Sequence, residues 1–193
     1  MDALQRSGQR PAHRRLALAG RAALVLVSAA CIGQAPARAE EAQPSSMQEV
    51  YGDWSVNCGL TGAEGAKTRV CQMSQELRRK ETNQLVLAIG ISPGDDKVGA
   101  KTTVIAPFGL TLADGLRIEL DEAELMKGSF ATCVPAGCVV EIPLSNDVIK
   151  SLASGKTATA VTTIKASGEP MRTDFSLNGF ATAWNRLLDL TKQ

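Results

Sequence analysis

The sequence contains one histidine in 193 residues, His13, and it stands in a leader that export would remove. A chain without histidine has no Ser-His-Asp or Cys-His catalysis, no histidine-ligated zinc and no histidine pH switch. A membrane-length apolar run is also missing from the leader. Its apolar stretch covers residues 22–32, well short of the roughly 20 residues that cross a bilayer. There is no Cys-x2-Cys pair, so the spacing of a thioredoxin-like redox site or a cysteine zinc site is absent. No internal repeat and no linker break the stretch from Val50 to Leu190.

What the leader does have is order. Arg6, Arg10, Arg14, Arg15 and Arg21 precede the apolar stretch, and Ala37-Arg38-Ala39 follows it, ahead of Glu40-Glu41. A basic region, a short apolar region and a small-x-small site make a secretory signal peptide over residues 1–39, cleaved between Ala39 and Glu40. The competing readings are weaker. An N-terminal membrane anchor lacks length. Lipidation at Cys31 lacks a large aliphatic residue three positions before it, and Arg14-Arg15 lacks the rest of a twin-arginine signal. Cleavage leaves 154 residues with 15 basic and 19 acidic side chains, a net of −4. Such a domain has no electrostatic footprint for nucleic acid and no basic cluster for anionic lipid.

Four cysteines remain after cleavage: Cys58, Cys71, Cys133 and Cys138. An even count in an exported chain implies disulfides. Three connectivities exist, and sequence alone does not choose among them. The pairing Cys58–Cys71 with Cys133–Cys138 is favoured because each pair brackets a turn-rich segment. Pro135 and Gly137 make Val134-Pro-Ala-Gly137 a tight turn between two apolar arms.

Residues 40–49 are polar and without period, which predicts a flexible lead-in to a domain over 50–193. From there period-2 alternation dominates. Trp54, Val56 and Cys58 share one face of a strand, and Cys71, Met73, Gln75 and Leu77 share one face of the next. The continuous run Leu85 to Ile91 predicts a strand buried on both faces. Strands are also expected over 102–106, 116–120, 125–133, 138–144, 157–164 and 171–177. Ser145 or Asn146 caps a short helix near 146–153, with Gly155 at its end. Phe180, Ala183, Trp184, Leu187 and Leu188 make one stripe of a C-terminal helix near 178–190. The fold class is therefore mainly β: a single-domain antiparallel sandwich or partly open barrel of about nine strands, with the terminal helix over one end or open edge.

These motifs together resemble the invasion-associated locus B (IalB) family. The resemblance rests on Tyr51-Gly-Asp-Trp-Ser-Val-Asn-Cys58, Arg69-Val-Cys71-Gln-Met73, Phe130-Ala-Thr-Cys133-Val-Pro-Ala-Gly-Cys138, Leu152-Ala-Ser-Gly-Lys-Thr-Ala158 and Ser176-Leu-Asn-Gly-Phe180. It implies a protein of a Gram-negative envelope, in the periplasm, at the outer membrane or secreted. It brings no catalytic residues, and it reads the four cysteines and the Gly-Asp-Trp strand as scaffold.

The remaining chemistry-bearing residues have bland readings beside the sharp ones. Asp53 and Trp54 could bind a sugar by hydroxyl and ring, but a strand tryptophan is ordinarily core. Asp95-Asp96 and Asp121-Glu122-x-Glu124 lack the calcium-loop motif and sit in expected turns. Arg78-Arg79-Lys80 reads as a solvated turn. Ser92 to Lys97 and Ser151 to Lys156 have the wrong interval for a Ser-Lys dyad. The expectation is a non-catalytic domain with no cofactor, no metal site and no stable membrane span, which binds a protein or a cell-surface component. Two alternatives stay open: an envelope accessory or chaperone-like protein, and a hydrolase using two carboxylates roughly 5–9.5 Å apart in a pocket.

Overall fold

The computed structural model describes residues 46–63, 66–94 and 99–191. Eleven strands follow in order: β1 (Ser46–Tyr51), β2 (Trp54–Thr61), β3 (Thr68–Arg78), β4 (Leu85–Pro93), β5 (Ala100–Ala106), β6 (Leu116–Leu120), β7 (Ala123–Gly128), β8 (Phe130–Val134), β9 (Gly137–Leu144), β10 (Thr157–Thr163) and β11 (Pro170–Ser176). Helix α1 (Asn146–Ser154) lies between β9 and β10, and α2 (Phe180–Thr191) follows β11. The strands form two antiparallel sheets, one ordered β1-β2-β3-β4-β5-β9-β8 and the other β11-β10-β6-β7. The architecture is a two-sheet sandwich, not a closed barrel.

The count exceeds nine for two reasons. Ser46–Tyr51 pairs with β2 from Ser46↔Gly59 to Tyr51↔Trp54. The expected lead-in over 40–49 is therefore strand from Ser46 onward. The expected single strand over 125–133 is two strands in different sheets: β7 pairs with β6, and β8 pairs with β9. The chain changes sheets at Gly128. A Cβ there would lie 2.7 Å from side-chain carbons of both Val140 and Ile142 on β9. Only a residue without a side chain lets the two layers approach so closely.

Alternation then builds the core. Trp54, Val56, Met73, Leu87, Ile89, Ile91, Val104, Val140 and Ile142 face inward from the larger sheet, and Leu116, Ile118, Ala158, Ala160 and Phe175 from the smaller. The expectation that residues 85–91 are buried on both faces is corrected. Leu87, Ile89 and Ile91 are buried, whereas Val86, Ala88 and Gly90, which alternate with them, are half-exposed. The small outward side chains make the run look apolar throughout without a second layer covering it.

The terminal helix lies over the β1 end of the larger sheet. It packs on the inner face of β1, β2, β3 and β4 and against α1, with Phe180, Ala183, Leu187 and Leu190 buried. Trp184 and Leu188 border this stripe, half-exposed. Here α2 stands where a sandwich would otherwise place more strand. Helix α1 is capped as its sequence predicts, the Ser145 hydroxyl accepting from Val148 N–H at 3.3 Å. Gly155 ends it in extended conformation. A Cβ there would meet Leu177 and Leu120 side-chain carbons at 2.7 and 2.9 Å, so close packing explains the glycine.

Candidate functional site

Sequence motifs from the two ends of the domain meet in one place. The turn between β1 and β2 carries Gly52 and Asp53, and the link from β11 to α2 carries Asn178 and Gly179. Asp53 N–H donates to the Asn178 carbonyl at 3.1 Å. Gly52 and Gly179 both have positive φ, 57° and 86°. A Cβ on Gly52 would lie 2.6 Å from the Asn178 carbonyl oxygen, and one on Gly179 would collide with the Tyr51 carbonyl oxygen. The two backbones touch directly.

Trp54 lies fully buried below this contact. Its indole meets the Phe180 ring edge to face, with centroids 5.1 Å apart, and its Nε1–H donates to the Ser176 carbonyl at 2.9 Å. A tryptophan so enclosed has no free face for a sugar ring. Beside it, the buried Gln75 amide donates to the Asp53 and Ser176 carbonyls, both at 3.0 Å, and accepts from Ser176 N–H at 3.2 Å. On the surface of the same clasp Arg186 of α2 grips Glu49 of β1 in a fork, with both N–H···O distances 2.8 Å. Tyr51 donates its hydroxyl to Glu49 at 2.6 Å. The Arg186 bonds, and then the Tyr51 bond, hold the Glu49 carboxyl down at about 2. The hydrogen bond to Glu49, and then burial, in turn push the Tyr51 hydroxyl above its ordinary range.

Glu119 on the outer face of the smaller sheet is held the same way. It receives Arg117 at 2.8 Å and Arg172 at 2.7 Å, and both bonds lower its carboxyl. A proton-donating carboxyl requires the opposite surroundings, apolar and without cations.

The four cysteines form two bridges, Cys58–Cys71 and Cys133–Cys138. In each, the partners stand directly opposite in an antiparallel pair, Cys58↔Cys71 and Cys133↔Cys138. They differ in setting. Cys58 and Cys71 are buried on the inner face of the larger sheet, within the core. Cys133 is exposed on its edge strand β8, while Cys138 is buried. The cleavage residues Ala39 and Glu40, and Asp95, Asp96 and Lys97, lie outside the described residues.

Other candidates disperse. Asp121 and Glu122 are the two central residues of the β6–β7 turn, both at positive φ, a conformation acidic residues tolerate in a two-residue hairpin. Arg78 pairs with Glu76 at 2.9 Å and bonds the Asn83 carbonyl, closing the β3–β4 turn. Among the described residues no three His, Cys, Asp or Glu side chains converge as a metal group. Asp114 and Glu124 share a depression of about 550 Å³ with Arg117 and Lys127, and both acids are exposed. The outer face of the larger sheet carries Ser55, Asn57, Gln72, Ser74, Ala88, Gly90 and Thr103, none of them buried. Shallow hollows of about 420 and 180 Å³ run across it, and both touch Ser74 and Glu76.

Sequence reasoning missed Gln75, Glu49 and Arg186. The signal for Gln75 was present: a lone amide on the apolar face of β3. Glu49 and Arg186 carry no local signal, because each acquires its meaning only when α2 lies beside β1.

Comparison with known proteins agrees with this architecture. The profile of the family described as "Invasion associated locus B (IalB) protein" matches residues 54–188. Invasion protein B of Bartonella bacilliformis is 34% identical over 152 residues, 77% of this chain and 78% of that protein. An invasion protein B homologue of Brucella abortus is 32% identical over 150 residues, covering 77% and 83%. The crystal structure of invasion associated protein B from Bartonella henselae superposes with a TM-score of 0.67 at 34% identity, covering 76% of this chain and 97% of that one. The chain belongs to the invasion-associated locus B family.

Proposed function

We propose that this is an exported, non-catalytic envelope protein that acts by binding another protein. The observation that carries the reading is kinship along nearly the whole described domain with invasion protein B. The arrangement of side chains supports it. The most elaborate polar constellation, around Gln75, Trp54 and Ser176, is consumed in holding the sandwich together. The two carboxylates with lowered titration are clamped by arginines. The larger sheet meanwhile presents a wide face of small, uncovered side chains, a surface suited to contact rather than to chemistry. The signal peptide over residues 1–39 supports the periplasm as the first destination. The relatives' names support a role in invasion.

A second reading is an accessory protein that shelters a partner by strand addition. The larger sheet ends in β1 and β8, each paired on one side only, and an open edge can accept a strand.

The test is crosslinking in intact bacteria, followed by fractionation and identification of the adducts. A recurrent crosslinked protein partner in the envelope fraction is expected. Recovery only as an uncrosslinked soluble monomer contradicts the binding reading.

A further inference from the structure

We propose that the Cys133–Cys138 bridge is a thiol–disulfide exchange site for a dithiol reductant, with the Cys133 sulfur as the atom attacked. The Cys58–Cys71 bridge is the permanent staple.

The two bridges look alike in sequence and differ in access. Exchange requires a thiolate to reach a disulfide sulfur, so the rate follows exposure. Cys58 and Cys71 are 6% and 3% exposed. They join β2 to β3, where β1 pairs with β2 opposite Cys58 and β3 pairs with β4 from Met73 onward, and both cysteines belong to the buried core. Reaching that bond requires lifting β2 and β3 off the core they cover. Cys133 is exposed, and its strand is the last in the sheet. Ala131, Thr132, Val134, Pro135 and Ala136 around it are exposed as well.

Two more features point the same way. The stretch 129–140 contains no charged residue, and the hairpin's one carboxylate, Glu141, stands three residues past Cys138 on β9. The pairing of β8 with β9 is short and shifts register between Phe130 and Thr132. Local opening there costs far less than exposing the core under β2 and β3. Cys138 is 3% exposed, which leaves Cys133 as the sulfur to attack and Cys138 as the leaving group.

The exchange balances as follows. A reductant thiolate forms a bond to Cys133 Sγ. The Cys133–Cys138 bond breaks, and its electron pair leaves on Cys138 Sγ, which takes a proton from water. The second thiol of the reductant, deprotonated, then attacks its own sulfur in the mixed disulfide. That expels Cys133 as a thiolate, which is protonated in turn. Two electrons pass from the dithiol to the protein, and the reductant ends as a disulfide. The product has β8 freed of its covalent tie and the edge of β9 open to a new strand.

The experiment uses the folded, oxidised protein with limiting dithiothreitol, quenched over time with N-ethylmaleimide and mapped by peptide mass. Labelled Cys133 and Cys138 should appear about tenfold or more faster than labelled Cys58 and Cys71. Equal rates, or earlier labelling of Cys58 and Cys71, overturn the proposal. With reduced glutathione as a monothiol probe, the trapped adduct should sit on Cys133; an adduct mainly on Cys138 overturns the assignment of the attacked sulfur. Hydrogen exchange after partial reduction should rise in β8 and leave β2 and β3 protected. Loss of protection throughout would show a structural staple and overturn the exchange site. The double variant Cys133→Ser with Cys138→Ser should lose the fast labelling phase while the slow phase keeps its rate, and survival of the fast phase in it counts against the proposal.

Discussion

Gln75 and Ser176 exchange two hydrogen bonds across the sandwich. The Gln75 amide donates to the Ser176 carbonyl at 3.0 Å, and its oxygen accepts from Ser176 N–H at 3.2 Å. A side chain of the larger sheet thus completes the backbone of the last residue of β11, an edge strand of the smaller one. The same Ser176 carbonyl also takes the Trp54 indole N–H.

Gln75→Leu keeps the size and removes the three bonds of the Gln75 amide, leaving the Trp54 bond in place. It leaves Ser176 N–H and the Asp53 carbonyl without the Gln75 partner at a partly buried junction, so the cost should be roughly 1–3 kcal/mol. Urea denaturation should show a lowered midpoint with an unchanged slope. A change below the scatter of surface substitutions would mean that the amide is not what joins the layers.

Gly179→Ala and Gly168→Ala separate strain from collision. Both positions have positive φ, 86° and 73°, and an alanine there costs about 1–2 kcal/mol from backbone alone. At Gly168 the added carbon meets nothing within 4 Å, whereas at Gly179 it strikes the Tyr51 carbonyl. Gly179→Ala should therefore be clearly the more damaging by denaturant midpoint. Equal losses would remove the direct backbone contact from the account.

Glu49 links stability to pH. Its carboxyl is lowered to about 2 from an ordinary 4.5, first by Arg186 and then by Tyr51. A depressed folded value means stabilisation that is present above about 4.5 and fades as pH falls toward 2. Glu119 acts with the same sign through Arg117 and Arg172, so the wild-type curve contains both. Glu49→Gln isolates one of them. Its stability deficit relative to wild type should shrink as pH is lowered from 5 toward 2, and a deficit independent of pH would contradict the ion pair.

Two buried threonines offer the reverse test. The Thr102 and Thr162 hydroxyls have no hydrogen-bond partner among the described residues. Valine keeps the branched shape and removes the unmet polar atom. Thr102→Val and Thr162→Val should each raise stability by about 1 kcal/mol, seen as a higher denaturation midpoint.

The inward alternation of β2 and β3, the cap of α1 and the stripe of α2 were legible because each is a local pattern with one period. Strand β1 was not legible. Its inward positions are Met47, Glu49 and Tyr51, and an acid among them breaks the apolar period; only Arg186, far along the chain, makes Glu49 acceptable there. The break between β7 and β8 was hidden for a related reason. Apolar residues continue through it, and the change of sheet is decided at Gly128 by Val140 and Ile142 of another strand. Of the candidate site, the cysteines and the Gly-Asp-Trp motif were visible. What they assemble with was not, since Gln75 and Ser176 are brought together only by the packed layers.

The central claim is that an oxidising compartment receives this chain, trims it and closes both bridges around a binding scaffold. The most direct measurement is the intact mass and N-terminal sequence of the protein recovered from the periplasm without reductant and with thiols blocked at lysis. The account predicts a chain beginning at Glu40, without the leader cysteine Cys31, and with no blocked thiol on Cys58, Cys71, Cys133 or Cys138. A chain retaining the leader in the cytosol with those thiols free would contradict it.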